Sequence, residues 1–287
     1  MDVVVHPDAD SFFTRAWDFL AAREAEHNLI FGIGGRLRAE PEPNGSPAYL
    51  ATVERDGDVV AAALRTPPHN VILAETDELE AITALAADLA AADPSLPGVL
   101  GSKAVAARFV DAWGRVTGAD ARVAIAERIY CCERVVPPEG VPGRMRAYEE
   151  RDRELVVGWF CDFAAEAMPD APVDERAEDV LDRRLAEPEG GIRLWVDDDA
   201  VCVAGFGGST PNGIRIGPVY TPPERRRRGY AAALTAALTT RLLEGRRFCF
   251  LFTDLANPTS NSVYTRIGYE PVADVDQWAF TKPATRD

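Results

Sequence analysis

Val219-Tyr220-Thr221-Pro222-Pro223-Glu224-Arg225-Arg226-Arg227-Arg228-Gly229-Tyr230-Ala231 is the stretch on which the fold turns. It leaves the apolar run Ile214–Thr221, crosses a basic turn and enters an alanine-rich segment. There Tyr230, Ala233, Leu234, Ala237, Leu238 and Leu242 share one face at helical spacing, and Glu244-Gly245 supplies a stop. A helix dipole already places partial positive charge at this N-terminus, so each exposed arginine weakens the first turn by about 0.3–1 kcal/mol. A local rule broken this strongly points to a ligand. Free backbone N–H groups, a glycine permitting close approach and guanidinium groups together suit a pyrophosphate. A solvated charge run and a nucleic-acid patch compete with that reading. The nucleic-acid reading is weak: formal charge is -15, and elsewhere adjacent basic residues go no further than pairs such as Arg246-Arg247.

Downstream, Phe248–Thr253 is a short aromatic-rich run that reads as a buried strand. It is followed by Asp254-Leu255-Ala256-Asn257-Pro258-Thr259-Ser260-Asn261-Ser262-Val263-Tyr264-Thr265-Arg266-Ile267-Gly268-Tyr269. Arg226-x-x-Gly229-x-Ala231 opening a helix, then a strand, then Asn-Pro-x-Ser-Asn-x-x-Tyr-x-x-Ile-Gly-Tyr, resembles the acetyl-CoA-dependent GNAT N-acetyltransferases. The two motifs, in this order and one helix and one strand apart, are far more specific than either alone. The resemblance is close over residues 214–271 and covers 143–285 in outline.

The resemblance implies that the strand before the phosphate loop parts from its neighbour, with the pantetheine arm in the gap. Pro218 fits such a strand, because proline cannot donate to a ladder and belongs at edges or bulges; an ordinary edge strand would fit it equally. By the same carry-over, Val219, Tyr220 and Thr221 line the arm, and one of their N–H groups is placed to polarise the thioester carbonyl. Arg227, Arg228, Gly229, Tyr230, Ala231 and Ala232 line the pyrophosphate, with Arg226 at the position usually filled by Gln or Arg. Asn257 matches the asparagine that bonds the cofactor; as Asn-Pro it equally suits a turn or helix cap. Tyr264 matches the tyrosine near the cofactor sulfur, and a phenol of pKa about 10 suits a general acid. Packing alone would also explain it. No general base stands out: His6, His27 and His69 lie in the first half, and Asp254, Glu166 and Tyr220 are guesses.

The 287 residues exceed the usual single domain, which predicts two. Residues 1–138 carry 12 basic and 21 acidic side chains, and the remainder 19 and 25. That acidity argues against nucleic-acid and membrane-surface partners and favours cationic acceptors. The five cysteines show no metal spacing and suit reduced thiols in a cytoplasmic protein, so no metal is expected. The N-terminus lacks signal-peptide character, and no apolar run reaches membrane-span length.

Val135–Gly143, rich in Pro and Gly, divides the chain into halves that echo each other. Tyr49–Val53 and Val59–Leu64 flank Asp56-Gly57-Asp58, as Ile192–Val196 and Ala200–Phe206 flank Asp197-Asp198-Asp199. A third strand follows in each, Val71–Ala74 or Ile214–Thr221, and helical stretches precede them at Ser11–Ala25 and Glu149–Ala167. The offset of half a chain implies duplication. Where the second half has arginines and Gly229, the first has Glu75–Glu80, acids that complement a helix N-terminus and repel phosphate. Leu96–Leu100, a helix at Ser102–Thr117 and a strand at Val123–Val136 complete this lobe. The cluster Gly32-Ile33-Gly34-Gly35 reads as a turn.

The expected architecture is therefore α/β (α+β), two tandem GNAT-like domains, each a mixed, mostly antiparallel sheet flanked by helices. Residues 1–138 would form a degenerate domain without cofactor, and 143–287 an acetyl-CoA-binding domain. The expected activity is transfer of an acetyl group from acetyl-CoA to a small-molecule or peptide amine, by direct attack in a ternary complex. A non-catalytic acyl-CoA-binding or regulatory protein is the alternative. Monomer and homodimer both remain open.

Overall fold

The computed structural model describes residues 1–42, 45–167 and 176–281. Strand β1 (Asp2–Val5) and helices α1 (Ala9–Ala21) and α2 (Asn28–Leu37) open the chain. The carboxylate of Asp8 starts α1 by accepting from the Ser11 amide at 2.7 Å. A hairpin follows, β2 (Tyr49–Arg55) and β3 (Asp58–Arg65). Asp56 and Gly57 between them take φ of 53° and 90°, the left-handed pair that a two-residue hairpin turn requires. Then come β4 (Val71–Leu73), α3 (Leu79–Ala92), β5 (Gly98–Ser102), α4 (Lys103–Thr117) and β6 (Asp120–Cys132). The remaining elements are β7 (Arg144–Ala147), α5 (Arg153–Ala167), α6 (Ala177–Ala186), β8 (Gly191–Asp197), β9 (Asp199–Gly207), β10 (Gly213–Tyr220), α7 (Tyr230–Leu242), β11 (Phe248–Asp254), α8 (Pro258–Arg266) and β12 (Glu270–Thr281). Residues 133–143 contain neither helix nor strand.

Packing divides the chain into two units, Met1–Ile129 joined by the stretch from Val272, and Tyr130–Pro271. The halves 1–138 and 143–287 are divisions by sequence pattern; these are divisions by contact. In the first unit the strand order is β1-β2-β3-β4-β5-β12-β6. Only β4 and β5 are parallel among the pairings described there; β1/β2, β2/β3, β3/β4 and β5/β12 are antiparallel. One face carries α1 and α2 through Phe12, Phe13, Leu20 and Ile30. The other carries α3 and α4, where Trp113 stacks on Phe109 at 5.9 Å and on Phe280 of β12 at 5.3 Å. Burying one such side chain is worth about 1.5–3 kcal/mol, so the last strand is part of the first unit's core.

The second unit has the order β11-β10-β9-β8-β7, with β10 and β11 parallel and the rest antiparallel. Tyr230, Leu234 and Leu238 of α7 pack over Cys202, Ile214 and Leu251 on one face. Val156, Trp159 and Phe160 of α5 and Leu181 of α6 cover Ile192, Leu194 and Val203 on the other. The mixed, mostly antiparallel α/β architecture read from the sequence is present in both units.

The structure differs from the local sequence pattern at several places, β5 (Gly98–Ser102, against Leu96–Leu100) and the start of α5 (Arg153, against Glu149) among them. Gly32–Gly35 is no turn but lies within α2. A Cβ on Gly34 would stand 2.5 Å from the Phe13 ring, so glycine is what lets α2 close on α1, and that packing overrides its poor helix propensity. The strand expected at Val123–Val136 runs instead over Asp120–Cys132, and the first helix ends at Ala21 rather than Ala25.

Candidate active site

β10 begins beside β11 and leaves it. Gly213, Ile214 and Arg215 pair with Phe248, Cys249 and Phe250, and beyond Arg215 no pairing joins the two strands among the described residues. On its other edge β10 stays with β9, through Val219 with Ala204 and Tyr220 with Val203, after a register shift between Ile216 and Val219. Pro218 lies inside that irregular stretch. Gly205 of β9 makes room for it: a Cβ there would be 3.0 Å from the Gly217 carbonyl and 3.2 Å from Pro218. The backbone of Ile216–Tyr220 therefore has an open edge on the β11 side, the kind of edge that pairs with amides of an extended ligand.

At the end of β10 the chain makes a short turn over Pro223–Arg225 and starts α7 from Gly229. Gly229 has φ of 83°, and a Cβ on it would stand 2.9 Å from Val141, so both conformation and space demand glycine. It offers no capping side chain. The first intrahelical bond described here is from the Ala233 amide to the Gly229 carbonyl at 2.9 Å, so the Tyr230, Ala231 and Ala232 amides lack intrahelical acceptors. Arg227 sits in the left-handed region at φ of 61°, a conformation that costs a non-glycine residue about 1 kcal/mol or more and recurs at ligand clamps. Together with Gly229 it turns successive amides into one concavity.

Among the described residues no carboxylate pairs with Arg225, Arg227 or Arg228; Arg227 and Arg228 are exposed and Arg225 half-buried. Tyr230 buries its ring in the core and donates its hydroxyl to Asp197 at 2.5 Å, leaving only its backbone to the loop. Arg226 behaves differently. Its Nε donates to the Thr221 carbonyl at 2.8 Å, and Nη2 donates to both oxygens of Glu166 at 2.8 and 2.7 Å. Amides without intrahelical acceptors, guanidinium groups with no ion-pair partner among the described residues and a glycine cradle are the donor set that suits a pyrophosphate.

Tyr264 on α8 is half-buried, edge-on to Tyr269 at 6.0 Å. Burial pushes its phenol well above the ordinary range, and the neighbouring Cys202 thiol adds to the effect. Cys202, itself pushed up to about 12 by burial, accepts from the Thr221 hydroxyl at 3.2 Å. Thr221 and Tyr264 thus share one neighbour. Asn257 is exposed and caps α8, its Oδ1 accepting from the Ser260 amide at 3.1 Å. Asn261, quoted in the motif but given no role, uses all four hydrogen-bonding positions. Its Oδ1 accepts from Thr253 at 2.6 Å and Tyr130 at 3.2 Å; its Nδ2 donates to the carbonyls of Asp254 at 3.1 Å and Asn257 at 2.8 Å. That amide fixes α8 against the end of β11.

The three candidates for a base fare differently. Asp254 accepts from the Ala256 amide at 2.7 Å and shapes its loop. Burial, and then the hydrogen bond to Glu166 at 3.1 Å, pushes the Tyr220 phenol up, so it is a donor at neutral pH. Glu166 is held by Arg226. The histidines all lie in the first unit, His6 on Thr52 and His27 between Leu20 and Glu75. Among the described residues no group of three or more His, Cys, Asp or Glu is placed to hold a metal, and no helix is long and apolar enough to cross a membrane.

The first unit's counterpart of the phosphate loop is closed. The Glu75 amide donates to Nε2 of buried His27 at 2.9 Å, and the Glu78 amide to Thr76 Oγ1 at 3.0 Å. Asp77, Glu78 and Glu80 pair with Arg23, Arg55 and Arg108. β4 pairs with β5 through Val71 with Val99 and Ile72 with Leu100.

The comparisons with known proteins bear on this fold, in which an open-edged strand leads into a glycine-started helix. The family model described as FR47-like protein matches residues 208–279. Solved structures match along nearly the whole chain. One is a tandem GNAT protein from the clavulanic acid biosynthesis pathway, 15% identical, covering 100% of this chain and 99% of its own, with a TM-score of 0.59. Another is a GCN5-related N-acetyltransferase from Sphaerobacter thermophilus, 16% identical over 98% and 96%, with a TM-score of 0.59. A third is an acetyltransferase of the GNAT family from Colwellia psychrerythraea, 12% identical over 98% and 100%, with a TM-score of 0.57. Identity this low establishes likeness of fold. No curated protein sequence matches the chain.

Proposed function

We propose that the second half, 143–287, binds acetyl-CoA and transfers its acetyl group to an amine, while the first half, 1–138, is a related lobe without a cofactor. The observation that carries this reading is the parting of β10 from β11 beside the N-terminus of α7, where Arg227 and Arg228 have no ion-pair partner among the described residues. Acetyl-CoA would supply the activated carbonyl: the amine nitrogen would form the new C–N bond as the C–S bond breaks, the nitrogen would release its proton to solvent, and the sulfur would leave as a thiolate. The chain's own part is to hold and polarise. The amides of Arg228 to Ala232 and the guanidinium groups of Arg227 and Arg228 would hold the pyrophosphate. The free edge at Val219, Tyr220 and Thr221 would align the arm, with Asn257 against it. Tyr264, kept protonated by burial, would return a proton to the sulfur. Positioning and carbonyl polarisation provide most of the acceleration in this scheme.

The closed loop of the first unit supports a single cofactor site. The non-catalytic alternative draws on one observation, that Glu166 is occupied by Arg226. Calorimetry with CoA, followed by a thiol-release screen across polyamines, amino acids, aminoglycosides and peptide N-termini, tests both. CoA binding with thiol release supports transfer; binding without release for any amine supports the alternative; no binding overturns both.

A further inference from the structure

Arg226 stands in a row of four arginines, yet its side chain turns away from the helix they introduce. It folds back on the end of β10, with Nε on the Thr221 carbonyl and Nη2 on both oxygens of Glu166. Its guanidinium carbon lies 5.5 Å from the centre of the Tyr220 ring, and the Tyr220 hydroxyl donates to the same Glu166 at 3.1 Å. One planar fork thus joins three pieces of chain: the last turn of α5, the last residue of β10 and the turn before α7. A phosphate would have to displace both a carboxylate and a carbonyl to take this group. Arg225, Arg227 and Arg228 present no such obstacle.

The pair is 41% and 48% exposed, too wet to matter much for stability. Its consequence is positional. β10 has already left β11 at this level, so the end of α5 is held against the strand end where the gap is open. Resting on the proposed acetyl-transfer reading, we infer that Arg226 and Glu166 are positioning residues for the acceptor side of the gap, and that Arg226 is not a cofactor ligand. The last turn of α5 is a wall of the amine's approach, and the Arg226–Glu166 lock sets where that wall stands.

The test compares Arg226→Ala, Glu166→Gln and the double variant with Arg228→Ala in the full chain. CoA affinity is read by calorimetry, and the protection of residues 162–167 by amide hydrogen exchange. Arg226→Ala and Glu166→Gln should keep CoA affinity within roughly threefold of wild type, whereas Arg228→Ala, losing a charge-assisted phosphate contact, should weaken it about tenfold or more. Both lock variants should lower exchange protection at the end of α5, and the double variant should be no worse than either. For any amine that turns over, its KM should rise about tenfold in the lock variants while CoA affinity holds. Weakening of CoA by Arg226→Ala to the extent seen with Arg228→Ala overturns the inference, as does unchanged protection at residues 162–167. Failure of the wild-type chain to bind CoA would instead remove the acetyl-transfer reading itself, an outcome visible before any variant is made.

Discussion

Gly229 carries two separate demands that a single substitution can divide. Alanine there must hold φ near 83° and push Val141 aside, at a cost of about 1–2 kcal/mol. Aspartate adds a carboxylate beside the expected pyrophosphate. We expect Gly229→Ala to weaken CoA binding in proportion to its loss of stability, and Gly229→Asp to abolish it. Calorimetry beside thermal melts separates the two, and unchanged affinity in the aspartate variant would mean that this loop is not the site. Tyr264→Phe should keep CoA affinity and lower kcat by ~10²-fold if proton return limits the rate; wild-type turnover would leave Tyr264 a packing residue. His27 makes a pH prediction. Its Nδ1 faces the Leu20 carbonyl and its Nε2 accepts from the Glu75 amide, so a proton on Nε2 would confront a donor. Burial lowers its pKa below 6.5. The unfolded chain therefore takes up the proton first, and stability present above pH 6.5 is lost as pH falls below it, by up to about 1.4 kcal/mol per pH unit from this group. Denaturant midpoints between pH 5 and 7.5 should show that slope, and His27→Gln should flatten it.

Among the elements, those that follow local rules were legible. β10, α7 and β11 appear where the basic turn, the alanine-rich face and the aromatic run placed them, because each is bounded by its own turn chemistry; Asn257-Pro258 suits a turn or a helix cap equally, and the structure makes Asn257 the cap of α8. What escaped is settled by distant partners. Three glycines in α2 argue against a helix until Phe13 is seen to need the space at Gly34. Nothing near Glu166 announces Arg226, sixty residues away, and an arginine run looks uniform in sequence although its members face different ways. Asn261 carries no signal of its own in the sequence, since its four partners are set by how α8 meets β11 and Tyr130. A consequence can be checked at this scale. If Asn261 orients α8, Asn261→Ala should strip the partners of Thr253 and Tyr130 and destabilise the second unit by about 1–3 kcal/mol, while Asn261→Asp, which keeps both acceptors, should cost less. Equal losses in chemical denaturation would show that the two donated bonds to Asp254 and Asn257 carry the effect.

For the whole molecule, the decisive fact is that the last strand belongs to the first unit. Trp278 and Phe280 of β12 pack with Phe109 and Trp113, while Tyr130 and Cys132, before the Pro/Gly stretch, belong to the second unit's core. Cutting between the halves therefore removes core side chains from both pieces, each worth about 1.5–3 kcal/mol when buried against the 5–15 kcal/mol that holds a typical domain folded. Fragments 1–138 and 143–287 should each be poorly folded alone, and mixing them should restore cooperative melting. Cofactor stoichiometry must accordingly be read on the intact chain. There we expect one CoA per chain, since His27 and Thr76 occupy the amides of the first unit's loop, whereas Arg227 and Arg228 have no ion-pair partner among the described residues. Arg228→Ala should weaken that single binding event without uncovering another. With a formal charge of -15, the chain should also capture cationic amines at a rate that falls as salt rises. Two CoA molecules per chain, or a fragment 143–287 that melts cooperatively with full kcat/KM, would refute this account: the first by giving the closed loop a cofactor, the second by showing that Tyr130, Cys132 and the rest of residues 1–138 are not needed to fold the second unit.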